Sequence, residues 1–518
     1  MISTKMTRRQ ALGTLAAAGL STTLYPSIAV SQDGRILRVR SYADIQGLDP
    51  AFRTGAPDDD VMRCIFPALA TMTPGDEWKW QLDAAVKLEQ TDPTHIAFTL
   101  MDGLKWSGDF GAVTADDVKY SFERFIDPKL EAVYKGDWEA LDHVEVIDEK
   151  SGVIVLKAPY PPLWNVGLVF GSGKIISRKA TEAAGGRFEN DVPAQCGRYV
   201  LKEWLPKQRT VLVRNPDWPG EPAAFEEIHI TPIDDEKTAE LGLEAGDLDY
   251  TWVATSSIPR YRETPPRGGQ ITVKPSLAYV WIGINQEKAP FDKLEVRRAI
   301  QYAVDVPTLL DAAYFGAAEP ATGIIAPGIL GHREKVLYAY DPDKAREELA
   351  KAGLEDGFEC TIDILNKAEH ISIAQALQAN LADVGITLTI QQHDSGTFWS
   401  LGDQKSGDSW KNIQLLLQRF SMQPDPAFGT DWFVPEQIGV WNWERWNSPE
   451  FGKLSAEAKL ETDTAKRNDM YIKMQDLMEE SGSYIFLTHE ATGVGYSSKI
   501  VPALLPNGLP VFYAFKPA

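Results

Sequence analysis

Residues 361–390 read TIDILNKAEHISIAQALQANLADVGITLTI, and two different periods meet within them. Thr361–Leu365 and Ile386–Ile390 alternate as strands do, while Ile373, Leu377 and Leu381 recur every fourth residue and Gly385 closes the helical pattern. Strand, helix and strand in so short a span form a βαβ unit, whose two strands lie parallel in one sheet. Moving toward the C-terminus, Ile413–Leu417 reads as a further strand, and Arg419-Phe420 opens the charged, aromatic loop after it. A helix around Ala465–Met478 is followed by Tyr484–Thr488, which can return the chain to an earlier domain. Moving toward the N-terminus, Asp341-Pro342 begins a helix that Gly353 ends. Asp292 precedes another helix, with Val296, Ile300 and Ala303 on one face.

Before about Val280 the texture is α+β. Thr114 with Asp117 three residues on is an N-cap pattern, and Val118, Phe122 and Phe125 share the face behind it. Short alternating runs at Val144–Ile147, Val153–Leu156, Thr210–Val213 and Glu227–Ile230 read as strands between Gly/Pro turns. Arg35–Arg40 reads as a first strand, ending in the turn-rich loop Ser41–Pro50. No internal repeat or low-complexity segment interrupts the chain. The pattern predicts two α/β lobes with two crossings between them.

The bulk properties agree. A chain of 518 residues exceeds one domain, and 44% hydrophobic with 24% charged residues suits a globular protein. Lys and Arg number 52 against 73 Asp and Glu, a net −21 that disfavours nucleic acid or an anionic membrane as partner. The three cysteines, Cys64, Cys196 and Cys360, have no CxxC spacing, which excludes a zinc ribbon or a disulfide-dense scaffold. At the N-terminus Thr7-Arg8-Arg9 precedes an apolar run, and Ser27-Ile28-Ala29 offers small residues to a signal peptidase. Residues 1–31 thus read as a twin-arginine export signal, with an apolar core too short to span a bilayer. No Cys follows it to anchor a lipid.

Enzyme motifs fail one by one. Gly171-Ser172-Gly173-Lys174 has Leu168 where a phosphate loop needs glycine and Ile175 where it needs Ser or Thr, so it reads as a turn. His489-Glu490 lacks the second His of a zincin helix, and seven His in the chain make a His-rich metal site improbable. Asp58-Asp59-Asp60 reads as a solvated acidic loop. Asp247 and Asp249 do not by themselves make a glycosidase pair. No GxSxG elbow occurs.

Taken in order, several stretches match a known family. They are Leu48-Asp49-Pro50; Phe98 through Trp106; Thr114-Ala115-Asp116-Asp117-Val118 on to Arg124; Arg198-Tyr199 through Trp204; and Val213-Arg214-Asn215-Pro216-Asp217-Trp218. Glu244-Ala245-Gly246-Asp247-Leu248-Asp249, Asn285 through Ala299, Tyr340-Asp341-Pro342 and Ala352-Gly353 complete the set. The chain resembles the solute-binding proteins of ABC importers, of the large dipeptide/oligopeptide type. The resemblance implies an α/β fold of two lobes closing on a ligand, with an extra subdomain in the first lobe and a hinge between them. It implies a first lobe at 32–276, to which 486–518 returns, and a second lobe at 277–485. The hinge falls near Lys274–Val280 and Tyr484–Glu490. It implies a periplasmic protein, monomeric by default, without cofactor, metal or chemistry of its own, serving an inner-membrane permease and ATPase.

Two departures bear on the ligand. The Gly-rich pattern usual in the family is reduced to Pro193-Ala194-Gln195-Cys196-Gly197-Arg198-Tyr199. Peptide-binding members tend to carry an acid three residues before an Asp-Pro, to meet the peptide's amino group; here Met422 precedes Asp425-Pro426. Arg419 favours an anionic group instead. The candidate ligand residues are Tyr42, Asp44, Trp399, Arg419, Phe420, Trp432 and Trp441, with Trp441 first to stack on a ring. Asp425 is expected to cap its own loop. A peptide, an opine-like conjugate, an oligosaccharide or a metal chelate all remain open as ligand, with anionic or sugar-like solutes favoured. The alternatives of another class are a secreted hydrolase acting on a polymer or glycoside, and a sensor subunit that presents its loaded form to a receptor.

Overall fold

A computed structural model describes residues 36–518. The export signal expected at 1–31, and Arg35 of the first expected strand, lie outside the described residues. β1 (Ile36–Ser41) enters a ten-stranded sheet, and α1 (Ala56–Ile65) follows it. A separate four-stranded antiparallel sheet comes next, made of β2 (Ala85–Asp92), β3 (His95–Leu100), β4 (Leu141–Val146) and β5 (Ser151–Leu156) in the order β2-β3-β5-β4. Its partner helix α2 (Ala115–Glu123) starts at the Thr114/Asp117 capping box and buries Val118 and Phe122. The chain then returns to the large sheet with β6 (Tyr199–Leu205), β7 (Arg209–Arg214), β8 (Glu227–Pro232) and β9 (Tyr250–Val253).

The remaining elements extend the large sheet and cover it with helices. β10 (Gly269–Ile284) leads to α3 (Leu294–Ala303), α4 (Val306–Tyr314) and α5 (Pro342–Lys351). β11 (Phe358–Leu365), α6 (Ala368–Ala382) and β12 (Ile386–His393) are the expected βαβ unit, parallel with Thr361 opposite Thr389. β13 (Leu415–Ser421), α7 (Thr464–Glu480) and β14 (Tyr484–Ser497) complete it. The large sheet has the order β12-β11-β13-β10-β14-β9-β1-β8-β7-β6.

The long strands β10 and β14 pair with each other and belong to both halves of that sheet. The C-terminal half of β10 pairs with β13 from Ala278 to Ile284, whereas β14 pairs with β9 through Gly493–Tyr496. Their mutual ladder breaks between Pro275 and Tyr279, opposite Ala491 and His489. Pro275 has no N–H to offer a ladder, so a break there is the economical place for one. On one side of the break a single core joins Leu37, Phe98, Trp138 and Tyr250 to the C-terminal Phe512 and Phe515. On the other side Ile282, Ile300, Leu377 and Leu417 form a second core, and Trp281, Tyr471 and Phe486 a third.

Two expectations need correction. The strand expected at Ile413–Leu417 runs at Leu415–Ser421, so Arg419 and Phe420 stand within it rather than in the loop beyond. Its register with β10, Val280 opposite Arg419 and Tyr279 opposite Phe420, supplies ladder hydrogen bonds that extend the strand past its apolar run. Asp58-Asp59-Asp60 is not a solvated loop but sits in α1, with Asp58 only 1% exposed. Its carboxylate accepts hydrogen bonds from the backbone N–H groups of Gln46, Gly47 and Thr54, which tie the β1–α1 loop to the helix start. The Gly171–Gly173 segment is a short 3-10 turn, and Cys64, Cys196 and Cys360 are buried free thiols.

Candidate functional site

A cavity of about 780 Å³ opens between the lobes. Its first-lobe wall is charged and comes from α1 and the loop before it. Arg53 lies 3.3 Å from the Asp59 carboxylate, and Arg63 donates to the Pro510 carbonyl at 2.7 Å while standing 3.8 Å from Asp60. Burial pushes the Asp60 carboxyl up to about 7; Arg63 opposes that rise and Asp59 adds to it. Trp252 on β9 lines the same wall.

The opposite wall is built on β13 and β14, the two strands that flank β10. Alternation along β13 sends Leu415 and Leu417 into the helical core and Phe420 to the aromatic face. Arg419 reaches across to β14, where its Nε and Nη2 both meet Glu490 Oε2, at 2.8 and 2.7 Å. Glu490 Oε1 accepts a long hydrogen bond from the Tyr314 hydroxyl at 3.3 Å, with Lys367 Nζ at 3.7 Å. Burial would raise the Glu490 carboxyl, but the hydrogen bonds and charge of Arg419, backed by Lys367, hold it below the ordinary range. Behind this group His370 is wholly buried with neither ring nitrogen partnered among the described residues, and burial depresses it to about 4.

Arg419 also borders a second chamber of about 320 Å³, lined with Trp399, Phe420, Ser421, Trp432 and Trp441. Phe420 is the common neighbour. Trp399 stacks on it at 5.9 Å and 25°, while Trp432 and Trp441 meet it edge-on at 5.8 and 5.9 Å. The Trp432 indole N–H is held by the Phe428 carbonyl at 3.1 Å, which fixes that ring. A flat apolar or sugar ring entering here meets π faces and edges on several sides. Trp443 and Trp446, by contrast, are core residues, 2% and 6% exposed.

The structure thus brings Trp399, Arg419, Phe420, Trp432 and Trp441 together. It does not bring Tyr42 or Asp44 with them. Tyr42 stands one ring behind the cleft, stacked on Trp252 at 5.7 Å. Asp44 accepts from the Trp204 indole N–H at 3.0 Å and the Lys207 backbone N–H at 2.7 Å. Both its oxygens dock the β6–β7 turn. Asp425 is buried, taking a bidentate pair from Arg467 at 3.0 and 2.7 Å and the Ala427 N–H at 3.1 Å. Met422 lines the cleft where peptide binders tend to carry an acid.

Sequence reading missed Glu490, Lys367 and Tyr314. Glu490 drew attention only as half of His489-Glu490; in the strand the two side chains diverge, and His489 Nε2 faces the Ile324 carbonyl at 3.1 Å. Among the described residues no group of three or more His, Cys, Asp or Glu could hold a metal ion, and no helix is long and apolar enough to cross a membrane.

A family model described as bacterial extracellular solute-binding proteins, family 5 Middle, matches residues 67–437. The glutathione-binding protein GsiB of Shigella flexneri is 25% identical over 501 residues, covering 94% of each chain. Among solved structures, HbpA2 from Haemophilus parasuis superposes with a TM-score of 0.81 at 21% identity, over 93% of this chain and 100% of that one. The periplasmic binding protein DppA from Helicobacter pylori, in complex with the peptide STSA, has a TM-score of 0.74 at 21% identity, covering 94% and 99%.

Proposed function

The chain belongs to the family 5 bacterial extracellular solute-binding proteins, and from that premise we propose that its ligand is a small organic solute with an anionic group and a flat ring. The anionic group meets Arg419 in the cleft, and the ring enters the chamber of Trp399, Phe420, Trp432 and Trp441. One observation carries the reading: Arg419 lies on the border of both cavities, joining a charged cleft to an aromatic cage. The family is one of solute capture and matches that reading rather than a hydrolase; no chemical step is assigned to the site.

The lobes close about β10 and β14, with the hinge at Lys274–Val280 and Tyr484–Glu490. The first lobe spans 32–276 with 486–518 returning to it, and the second spans 277–485. The ladder break at Pro275 supports this division. The loaded protein, a monomer exported to the periplasm by the twin-arginine signal at Arg8-Arg9, delivers its solute to an ABC permease and ATPase in the inner membrane.

Native mass spectrometry of freshly exported protein tests this reading. A stoichiometric small adduct, lost on denaturation, is expected, and its mass defines the ligand. Calorimetry with that compound then separates the two cavities. Arg419→Ala is expected to weaken binding by about 2 kcal/mol or more, as for a lost charge-assisted pair. Trp441→Ala is expected to cost about 1–3 kcal/mol. Unchanged affinity in Arg419→Ala removes the anionic group from the proposal.

A further inference from the structure

The pair formed by Arg419 and Glu490 is saturated on one side only. Two guanidinium N–H groups converge on a single carboxylate oxygen, Glu490 Oε2. Among the described residues none accepts from Arg419 Nη1 within hydrogen-bonding distance. Glu490 Oε1 has only the long contact from Tyr314 and an ammonium beyond hydrogen-bonding reach. Both groups line the interlobe cavity, and the Arg419 side chain is 36% exposed. The pair therefore offers the cleft a donor edge and an acceptor edge side by side, at the mouth of the aromatic chamber.

Charge balance on this wall restricts what can occupy those edges. Arg419 and Lys367 face Glu490 and Glu369, so the wall is neutral as it stands. A ligand carrying only a carboxylate would satisfy Arg419 while crowding Glu490, and one carrying only an amine would do the reverse. Desolvating one such charge without a partner is heavily unfavourable in a closed cleft. A ligand whose ammonium and carboxylate are borne on one carbon matches both edges at once, in an antiparallel arrangement of two charge-assisted contacts.

We propose that Glu490 is a specificity residue: it receives the ammonium, and Arg419 Nη1 the carboxylate, of an α-amino-acid head group whose side chain or conjugate projects into the tryptophan chamber. Glu490 thereby supplies, from β14 across β10, an acid on a different strand from Met422. This deepens the anionic-group reading above and rests on it.

Calorimetry with the full exported protein and three matched probes tests the assignment: L-tryptophan, N-acetyl-L-tryptophan and L-tryptophanamide. Wild type is expected to bind the zwitterion at least about tenfold tighter than either capped form. In Glu490→Gln that preference over the N-acetyl anion disappears, because the amine partner is gone while Arg419 remains. Arg419→Gln is expected to lose the N-acetyl anion and to keep the amide. Glu490→Asp, which keeps the charge, restores the order of preference at reduced affinity; unfolding midpoints close to wild type show that the variants are folded. Three results overturn the proposal: an unchanged preference in Glu490→Gln, wild type binding the anion as tightly as the zwitterion, or wild type binding none of the probes at millimolar concentration. If Glu490→Gln is silent while Arg419→Gln loses the anion, the zwitterion assignment falls and the anionic-group reading stands. If both are silent, both fall.

Discussion

Glu444 shows how a single buried residue makes stability depend on pH. It is fully buried, with the Trp281 indole N–H on Oε1 at 2.8 Å and no partner for Oε2 among the described residues. Burial raises its carboxyl to about 7, with Trp281 and, less strongly, the nearby Tyr484 hydroxyl pulling the other way. The folded protein therefore keeps a proton that the unfolded chain releases above its ordinary carboxyl range. Stability from this group is complete below the unfolded pKa, falls as pH rises toward 7, and is flat above it. Glu444→Gln is expected to raise stability at pH 8, by up to about 3 kcal/mol, with the gain vanishing near pH 4. Thermal unfolding across that range checks it. Gly283 faces the same carboxylate so closely that a Cβ there would stand 2.1 Å from Oε1, which explains a glycine near the C-terminal end of β10. Residue-scale reading of the sequence succeeded where chemistry is local. Asp425 takes the N–H of Ala427, two residues on, and the aromatic candidates around Phe420 do converge. The partners of Asp44 and Glu490, Trp204 and Arg419, are far away in the chain and beyond local reading.

Elements were legible in proportion to their periodicity. The βαβ unit appears where 361–390 places it, because Ile373, Leu377 and Leu381 are all 0% exposed and only a helix puts them on one face. Truncating the middle one, Leu377→Ala, is expected to destabilise the protein by about 2–5 kcal/mol, as for a buried leucine whose cavity does not collapse. Denaturant unfolding measures the loss, and an effect below about 1 kcal/mol would show that α6 does not carry this core. The Thr114/Asp117 capping box and the Asp341 cap also fell where their side-chain chemistry puts them. The end of β13 did not, because Arg419 and Phe420 are strand residues only by virtue of β10 alongside. Nothing in their own composition extends the strand. The acidic run 58–60 misled for the same reason: its solvation depends on a loop, 46–54, that folds back over it.

At the scale of the molecule, the lobes touch at a place that does not use the crossing strands. Asn165, beside the four-stranded sheet, donates through Nδ2 to Asp425 Oδ2 at 3.1 Å, and Lys459 stands 3.9 Å from Glu139. Asp425 is already committed to Arg467, so the contact lands on a rigid, buried carboxylate. Asn165→Asp sets a second carboxylate against it and is expected to favour separated lobes. Small-angle scattering should then show a larger radius of gyration for the ligand-free variant, and affinity for the natural ligand should fall roughly tenfold. The sequence by itself determined the α/β class, the βαβ unit, the two-lobe plan through its ordered resemblances, and the cluster of aromatics after residue 398. Apart from the lobe plan, which the resemblance implies, these follow from periodicity, capping and composition, which act over a few residues. Only the tertiary structure decided that Arg419 is met by Glu490, that Asp44 is spent on a turn, and that the aromatic chamber opens beside a charged cleft. Those outcomes depend on which strands become neighbours in a sheet ordered β13-β10-β14, and sheet order is set by burying two cores at once rather than by any local pattern in the chain.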